Sequence, residues 1–532
     1  MATPRTVAAL VDEAATRHPD REALVDEDRT LTYAQLATEV DRAARGLLAA
    51  GVVRGTRVGL WAPNISEWVL AALGALRIGA TLVPINTRYK GHEAGDLLER
   101  SHAELLCTVT GFLDTDYVEL LRRARGPATD ARPVEGLPEL RDIVVLRGTP
   151  PAGTRPLGAL LAAGDDVDAA RLAAAVEAVA PEDPSDIMFT SGTTGRPKGV
   201  VATHAQTVEL FSSWAEIVGL TSEDRYLIVN PFFHTFGYKA GMIACLVAGA
   251  TMLPHAVFDP DEVLQRIPAD DVTVLPGPPT LYQSLLGHPD LAAHDLSGLR
   301  LAVTGAASIP VSLIRRMREE LGFDTVLTAY GLTESTGVVT MCRDGDDDET
   351  VATTSGRAVP GVEVAIVDDE GREVPVGTAG EVVVRGYNVM HGYLEDPEAT
   401  AAAIDADGWL HTGDVGVLDE RGYLDITDRK KDVFIVGGFN AYPAEIENAL
   451  LEHEGVAQVA VVGVPHDRLG EVGHAFVVPR PGHQVDPDAL ISWARDRMAN
   501  FKVPRGVDVV ASLPVNASGK VLKHELRPGA PG

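Results

Sequence analysis

One segment of the chain, residues 190–199, limits the fold and its chemistry more than any other. It reads Thr190-Ser191-Gly192-Thr193-Thr194-Gly195-Arg196-Pro197-Lys198-Gly199 and follows an apolar stretch at 187–189. Glycines let the backbone turn its amides toward one centre, and hydroxyl side chains add donors beside the cation of Lys198, so the segment is typical of a phosphate-binding loop. It lacks the Gly-Lys-Ser/Thr ending of the Walker loop, which argues against a kinase or GTPase. Taken alone, the segment also fits a solvated linker.

Length and charge narrow the class of protein further. A chain of 532 residues predicts several domains and a sizeable core. Acidic residues outnumber basic ones by 76 to 46, and the formal charge of −30 disfavours nucleic acid and anionic membranes as partners. An anionic ligand would therefore need local cations, backbone amides and Mg²⁺. The chain shows no apolar run near the roughly 20 residues of a membrane span and no signal peptide, so we expect a cytoplasmic protein.

The cysteines give no sign of a metal or redox site. Cys107, Cys245 and Cys342 stand far apart, without CxxC spacing. We interpret them as reduced thiols.

Alternating patterns predict an α/β fold. A helical pattern at 33–48 precedes strand-like runs at 57–61 and 81–85, and this alternation is typical of a layered sheet. Residues 147–184 are rich in Ala, Pro, Gly and Asp, with one helix predicted near 169–179, and are interpreted as a surface connection. The alternation then resumes with strand-like segments at 228, 272–275, 299–304 and 325–330.

Beyond residue 351 the pattern changes to short strands separated by Gly and Asp turns. The predicted strands are 362–367, 380–385, 416–418 and 423–427. A charged turn at 428–432 then precedes about a hundred residues with an α+β pattern of their own. We therefore predict a large N-terminal domain over 1–428, with a β-rich subdomain at about 351–428, a hinge at 429–432 and a small α+β C-terminal domain over 433–532.

A second candidate site follows the predicted strand at 325–330. The residues Tyr330-Gly331-Leu332-Thr333-Glu334 place a ring, a hydroxyl and a carboxylate on one turn. Such a trio could stack a base, contact a phosphate oxygen and hold Mg²⁺. Alone it is also compatible with an ordinary turn carrying an exposed carboxylate.

Together the motifs resemble those of the adenylate-forming superfamily, which includes acyl-CoA synthetases, peptide-synthetase adenylation domains and luciferases. Five motifs stand in family order: 191–199, 330–334, Thr412-Gly413-Asp414, Asp428-Arg429 and 514–520. The resemblance covers residues 25–525 and implies a large N-terminal domain with a small mobile C-terminal one. It also implies a two-step reaction, in which a carboxylate attacks the α-phosphorus of ATP and a thiol then displaces AMP from the acyl-adenylate.

The resemblance assigns roles in the first step. The phosphates of ATP would be held by Thr190, Ser191, Gly192, Thr193, Thr194, Gly195 and Lys198. Thr333 would contact the α-phosphate and Glu334 would bind Mg²⁺. The adenine would lie against Gly305, Ala306, Ala307, Tyr330 and Gly331, and the ribose against Asp414 and Arg429.

The same resemblance assigns roles that belong to the mobile domain and the thiol path. Lys520 matches the catalytic lysine, which would bridge the carboxylate and the α-phosphate. Lys431 matches the pivot of the domain rotation, and Gly437, Gly438 and Phe439 would reach the coenzyme A tunnel. His234 matches the gate of that tunnel. Without the resemblance, Lys520 would be interpreted as a solvated tail lysine, Lys431 as a surface charge and His234 as a hydrogen-bonded core histidine.

Two stretches bear on the acid. Residues 230–245 and 274–285 are similar to those of actinobacterial ligases that activate a bicyclic propanoate from steroid degradation, although Ser335, Thr336 and Thr235 depart from that pattern. Medium-chain and other cyclic or biosynthetic acids remain open, because one or two pocket side chains can redirect specificity. An enzyme that loads a carrier protein and a catalytically silent nucleotide-binding protein also remain open. So does the oligomeric state, with a homodimer among the options.

Overall fold

The computed structural model describes residues 5–27, 29–190, 197–305, 309–429, 432–436, 439–466, 469–495, 497–498, 500–515, 521–526 and 528. For residues 428, 429, 435, 439, 440, 445 and 524 it describes the backbone only.

Strands occur along the whole described chain. In order they are β1 (Glu22–Asp26), β2 (Arg29–Thr32), β3 (Arg57–Trp61), β4 (Thr81–Pro84), β5 (Leu105–Phe112), β6 (Thr115–Asp116), β7 (Asp142–Arg147), β8 (Arg155–Pro156), β9 (Pro184–Thr190), β10 (Lys198–Thr203), β11 (Arg225–Ile228), β12 (Thr251–Pro254), β13 (Leu301–Gly305), β14 (Thr325–Tyr330), β15 (Thr340–Met341), β16 (Arg357–Ala358), β17 (Val362–Val367), β18 (Gly380–Gly386), β19 (Gly392–Tyr393), β20 (Leu410–Leu418), β21 (Leu424–Arg429), β22 (Phe434–Val436), β23 (Phe439–Ala441), β24 (Val456–His466), β25 (Gly470–Pro479) and β26 (Gly506–Val509).

Helices separate most of these strands. They are α1 (Val7–Arg17), α2 (Tyr33–Ala49), α3 (Ser66–Arg77), α4 (Gly91–Arg100), α5 (Tyr117–Arg125), α6 (Leu157–Ala163), α7 (Ala169–Glu177), α8 (His204–Ile217), α9 (Thr235–Gly237), α10 (Ala244–Ala248), α11 (Pro260–Ala269), α12 (Pro279–Leu286), α13 (Val311–Glu319), α14 (Asp348–Thr353), α15 (Pro397–Ala403), α16 (Pro443–Leu451) and α17 (Pro487–Arg495). A π-helix spans Tyr238–Ile243. None of the helices in the described part of the chain has the length and apolar composition that a membrane span requires.

The central sheet has the strand order β19-β10-β9-β4-β3-β5-β7-β8, with β6 paired to β5. Strands β9, β4, β3, β5, β7 and β8 run parallel, whereas β10 is antiparallel to β9, and β19 is antiparallel to β10. Parallel strands need helical crossovers that cover the sheet faces, as α3 does, and its apolar residues are nearly all buried. The predicted layered α/β architecture is confirmed.

A second region of sheet runs β2-β1-β12-β11 and continues through one residue to β13-β14-β15-β16. That residue is Val274, which forms parallel bridges to Tyr226 and Leu301. The strand predicted at 272–275 therefore shrinks to a single bridge. The chain continues Pro276-Gly277-Pro278-Pro279, and prolines cannot donate to a sheet ladder.

Residues 147–184 are more than the predicted surface connection, and that interpretation is corrected. Strand β8 joins the edge of the central sheet, and α6 packs on α2 with Leu160 buried. A Cβ at Gly46 would lie 2.7 Å from the backbone oxygen of Leu160, so glycine permits this close approach. The Ala- and Gly-rich composition resembles a linker but here fits a tight contact between helices.

The β-rich region forms an antiparallel sheet with the order β17-β18-β20-β21. Its last strand reaches further than the sequence predicted. Asp428 and Arg429, expected in a charged turn, belong to β21 because they pair with Val415 and Asp414 of β20.

The C-terminal residues form a separate sheet, β23-β22-β25-β24, with β26 parallel to β25. This sheet has its own apolar core, which includes Phe434, Val461, Ala475 and Leu490. The three cysteines all lie elsewhere, buried as free thiols.

Candidate active site

The predicted phosphate loop connects two paired strands. Thr190 ends β9 and Lys198 begins β10, and the two residues face each other in the antiparallel register. Both side chains are half-buried. The loop residues Ser191, Gly192, Thr193, Thr194 and Gly195 lie outside the described residues.

Arg100, at the end of α4, contacts a residue on each side of this loop. Its Nη1 donates a hydrogen bond of 2.6 Å to the backbone oxygen of Pro197, after the loop. Its guanidinium carbon lies 5.5 Å from the ring centroid of Phe189, before the loop. No predicted motif includes Arg100, because it lies far upstream of the loop in the sequence.

The turn after β14 is too tight for any residue but glycine at position 331. A Cβ on Gly331 would lie 2.2 Å from the backbone oxygen of Gly337. The 3₁₀ turn Thr333–Ser335 follows, and Thr336 takes the left-handed conformation with φ of 60°. This geometry turns the chain back on itself and presents Thr333 and Glu334 beside the end of the strand.

Glu334 is held by the strand that lies next to β10. The backbone N–H of Met390 donates to the backbone oxygen of Glu334 at 2.8 Å. The hydroxyl of Tyr393, in β19, donates to Glu334 Oε1 at 2.9 Å. Burial and the carboxylate of Glu334 raise the pKa of Tyr393, which keeps the hydroxyl protonated as a donor.

Lys198 contacts the ring of the same tyrosine. Its Nζ lies 4.8 Å from the centroid of the Tyr393 ring, a cation–π distance. Lys198 and Glu334 come from motifs well separated in sequence, and Tyr393 contacts both. No predicted site included Tyr393. The Gly-Tyr pair in a region of predicted short strands was its only signal.

Tyr330 and Asp414 also meet. The hydroxyl of Tyr330 donates to Asp414 Oδ2 at 2.6 Å, and Asp414 is buried. Asp414 lies directly opposite Arg429 in the register of β20 and β21, which places their Cα atoms side by side. Gly305 ends β13 next to Ala329, one residue before Tyr330. Ala306, Ala307 and the Arg429 side chain are not among the described parts of the chain.

His234 caps the short helix α9. The backbone N–H of Phe236 donates to His234 Nδ1 at 3.2 Å, so the acceptor nitrogen is deprotonated. Burial lowers the pKa of His234 to about 4, and the ring is therefore neutral near pH 7. A Cβ at Gly337 would lie 3.0 Å from Cβ of Thr235, which shows how closely this segment approaches the turn at 331–337.

Besides the loop residues and Ala306 and Ala307, four more predicted residues lie outside the described residues: Lys431, Gly437, Gly438 and Lys520. The side chain of Phe439 is not described either. Their roles stay predictions.

Glu334 offers one oriented carboxylate to a Mg²⁺ ion. Among the described residues no group of three or more His, Cys, Asp or Glu side chains is arranged to hold a metal ion. Mg²⁺ commonly binds one or two carboxylates together with phosphate oxygens and water. A single oriented carboxylate at Glu334, held by the same tyrosine that contacts Lys198, would fit that mode.

Comparison with known proteins agrees with this geometry. The sequence profile of the AMP-binding enzyme family matches residues 11–394, and that of the AMP-binding enzyme C-terminal domain matches residues 445–520. Two relatives are named as CoA ligases for 7a-methyl-1,5-dioxo-octahydro-1H-inden-4-yl propanoate. The one from Rhodococcus jostii (strain RHA1) is 51% identical and the one from Mycobacterium tuberculosis (strain ATCC 25618 / H37Rv) is 52% identical, each alignment covering 98% of both chains.

The fold also matches solved structures. The crystal structure of an anthranilate CoA ligase in complex with anthranoyl-AMP aligns with a TM-score of 0.87 and 29% sequence identity, covering 98% of this chain and 96% of that one. By sequence over nearly its whole length and by fold, the chain belongs to the AMP-binding enzyme family, the adenylate-forming superfamily that its motifs predicted.

Proposed function

We propose that this AMP-forming acyl-CoA ligase acts on the bicyclic methyl-dioxo-octahydroindenyl propanoate of steroid degradation. The identity of 51–52% to two ligases named for that acid, over 98% of the chain, supports the proposal. One structural observation carries the chemistry: Lys198 and Glu334 meet at Tyr393, where a cation and a carboxylate can act on one triphosphate.

In the first half-reaction the two reactants are both anions, so the protein must neutralise charge before proximity can help. Lys198 would contact the β- and γ-phosphates together with the loop from Thr190 to Gly195. Thr333 would donate to the α-phosphate. Glu334 would hold Mg²⁺, which supplies positive charge to the phosphate oxygens when bound. A carboxylate oxygen of the acid then attacks the α-phosphorus and pyrophosphate leaves.

The nucleoside would be held by the end of the second sheet. Gly305, Ala306 and Ala307 would line the adenine, and the Tyr330 ring would stack on it. Because the Tyr330 hydroxyl donates to Asp414, the same residue also orients the carboxylate proposed to bind the ribose hydroxyls. Arg429 stands opposite Asp414 in the sheet, in the position expected of a second ribose contact.

In the second half-reaction the small domain would turn about Lys431. This movement would withdraw Lys520 and bring Gly437, Gly438 and Phe439 to the coenzyme A tunnel, with His234 as its gate. The coenzyme A sulfur would attack the acyl carbonyl and AMP would leave with one oxygen of the original carboxylate. A neutral His234 ring can move without carrying a charge through a buried path.

Two of the residues expected to differ from the bicyclic-propanoate ligases have internal partners. The Ser335 hydroxyl donates to the backbone oxygen of Leu332 at 2.9 Å, and the Thr336 hydroxyl donates to that of Asn388 at 2.8 Å. Both side chains are buried, so their hydroxyls support the turn. This supports keeping the bicyclic acid as the proposed substrate despite these differences.

The test is AMP release with ATP and Mg²⁺, with and without coenzyme A, across the bicyclic propanoate, octanoate and benzoate. We expect coenzyme-dependent AMP from the bicyclic acid with kcat/KM at least about tenfold above the other acids, the scale that pocket fit can supply. A higher kcat/KM for octanoate would contradict the substrate. Adenylation of the bicyclic acid without use of coenzyme A would favour carrier-protein loading instead.

A further inference from the structure

The pairing of two strands places Tyr393 between two groups of the proposed site. Tyr393 of β19 lies opposite Val200 of β10, and Lys198 is two residues before Val200 on the same face. Diagonal neighbours on paired strands lie within reach of an aromatic side chain. The observed distance of 4.8 Å from Lys198 Nζ to the ring centroid follows from this register.

The position of Tyr393 is fixed from several directions. Its backbone N–H donates to the hydroxyl of Thr400, in α15, at 2.9 Å. The backbone N–H of Leu394 donates to the backbone oxygen of Gly199 at 2.7 Å. The side chain is half-buried, so neighbouring groups limit its rotamers. Tyr393 is thus a rigid support rather than a mobile surface group.

The two ends of the side chain have separate contacts. The ring face meets the ammonium of Lys198, and the hydroxyl meets Oε1 of Glu334 at 2.9 Å. A lysine and a glutamate in one small site attract each other, and a direct ion pair would turn both away from a ligand. Tyr393 instead gives each of them a separate partner, the ring for Lys198 and the hydroxyl for Glu334.

We propose that Tyr393 is a positioning residue for Mg·ATP: its ring places Lys198 and its hydroxyl orients Glu334, so that both face one triphosphate without pairing with each other. The inference rests on the proposed function, because that function identifies Mg·ATP as the ligand of Lys198 and Glu334. It assigns no bond-making role to Tyr393, which acts through its two neighbours.

Two substitutions separate the contacts. Tyr393→Phe keeps the ring under Lys198 and removes only the donor to Glu334. Tyr393→Leu removes both contacts. Tyr387→Phe is the matched control, because Tyr387 is also half-buried, lies six residues earlier and donates to Ser213, away from the proposed site.

The measurement is calorimetric binding of ATP without the acid, with Mg²⁺ and again with EDTA, so that no reaction takes place. We expect Tyr393→Phe to weaken binding of Mg·ATP about tenfold, the low end for one lost hydrogen bond to a charged group, and to leave binding in EDTA unchanged. Tyr393→Leu should weaken binding in both conditions, and Tyr387→Phe in neither. Thermal midpoints of all three variants check that each is folded.

A second readout separates positioning from general structural damage. Transfer of the acyl group from a supplied acyl-adenylate to coenzyme A should proceed at the wild-type rate in Tyr393→Phe. Equal Mg·ATP affinity in wild type and Tyr393→Phe would overturn the role of Tyr393, as would the same loss in Tyr387→Phe. A wild-type protein that bound no Mg·ATP would instead overturn the proposed function, and this inference with it.

Discussion

Among single residues, Lys520 is the one proposed to act directly on the transition state of adenylation. One lost contact to the transition state lowers a rate by about a hundredfold or more, so Lys520→Ala should suppress acyl-adenylate formation by at least that factor. Transfer from supplied acyl-adenylate to coenzyme A should be largely retained. Pre-steady-state assays of the two half-reactions measure both effects.

Lys523→Ala provides the matched control, since Lys523 lies in the same tail and pairs with Glu447 at 2.7 Å. It should leave both half-reactions near the wild-type rate. An equal loss in both half-reactions of Lys520→Ala would contradict the assignment.

Residue patterns predicted the motif positions but not their supports. Lys198, Glu334, Tyr330 and Asp414 stand in recognisable motifs. In the structure Lys198 and Glu334 both contact Tyr393, and Tyr330 donates to Asp414. The supporting side chains could not be predicted, because Tyr393 acts through a strand register and Arg100 through a long-range contact. Such contacts depend on which strands and helices become neighbours, and one sequence does not encode that in local spacing.

Among the elements, a buried ion pair connects the π-helix Tyr238–Ile243 to β9. Lys239 Nζ lies 3.0 Å from Asp186 Oδ1, and both side chains are 1% exposed. Burial lowers the pKa of Lys239, while the negative charge of Asp186 opposes that shift. Removing one partner of a buried pair leaves an uncompensated charge, so Lys239→Met should lower the free energy of unfolding by about 3–5 kcal/mol.

Chemical denaturation measures this change. The double variant Lys239→Met/Asp186→Asn should lose less stability than Lys239→Met alone, because it leaves no unpaired charge. Arg123→Met, which breaks an exposed pair with Glu119 on α5, should cost under about 0.5 kcal/mol. Similar losses at the buried and exposed pairs would refute the argument.

Strand boundaries were predicted best where the local sequence alone determines where the strand begins and ends. The strands at 57–61, 325–330 and 362–367 match β3, β14 and β17 residue for residue. Predictions failed where tertiary contacts decide the outcome. The segment 147–184 gains a helix packed at Gly46, and β21 extends to Arg429 because β20 continues beside it.

At the scale of the whole molecule, buried neutral histidines predict acid sensitivity. Burial lowers the pKa of His204 to about 4 from an ordinary 6.5, although the charge of Asp183 opposes the shift. Between these two pKa values, the unfolded chain binds a proton at His204 more readily than the folded chain does. The contribution of His204 is therefore complete above about pH 6.5 and is lost as the pH falls toward 4, by up to about 3 kcal/mol.

Denaturation between pH 7 and pH 4 tests this window. His204→Gln should flatten the decline in the free energy of unfolding. His102 is the opposite control, because hydrogen bonds to Glu395 and Glu139 raise its pKa and its contribution is present in acid. His102→Gln should therefore steepen the decline. An unchanged slope in His204→Gln would contradict the assignment.

The proposed domain movement is a second property of the whole molecule. Proline fixes φ, so Lys431→Pro should hinder rotation about this position and slow thiolation by about tenfold or more, with adenylation preserved. Lys431→Ala removes the charge and keeps backbone freedom, so it should thiolate near the wild-type rate. Normal thiolation in Lys431→Pro would exclude residue 431 as the pivot.

The acyl-adenylate mechanism is tested by following the carboxylate oxygen of the acid. The bicyclic propanoate, labelled with ¹⁸O in its carboxylate, is incubated with enzyme, ATP, Mg²⁺ and coenzyme A, and the nucleotide product is analysed by mass spectrometry. Attack on the α-phosphorus followed by thiol displacement predicts AMP that carries one ¹⁸O atom, together with the acyl-CoA thioester. Unlabelled AMP, or ADP in place of AMP, would contradict an acyl-adenylate mechanism.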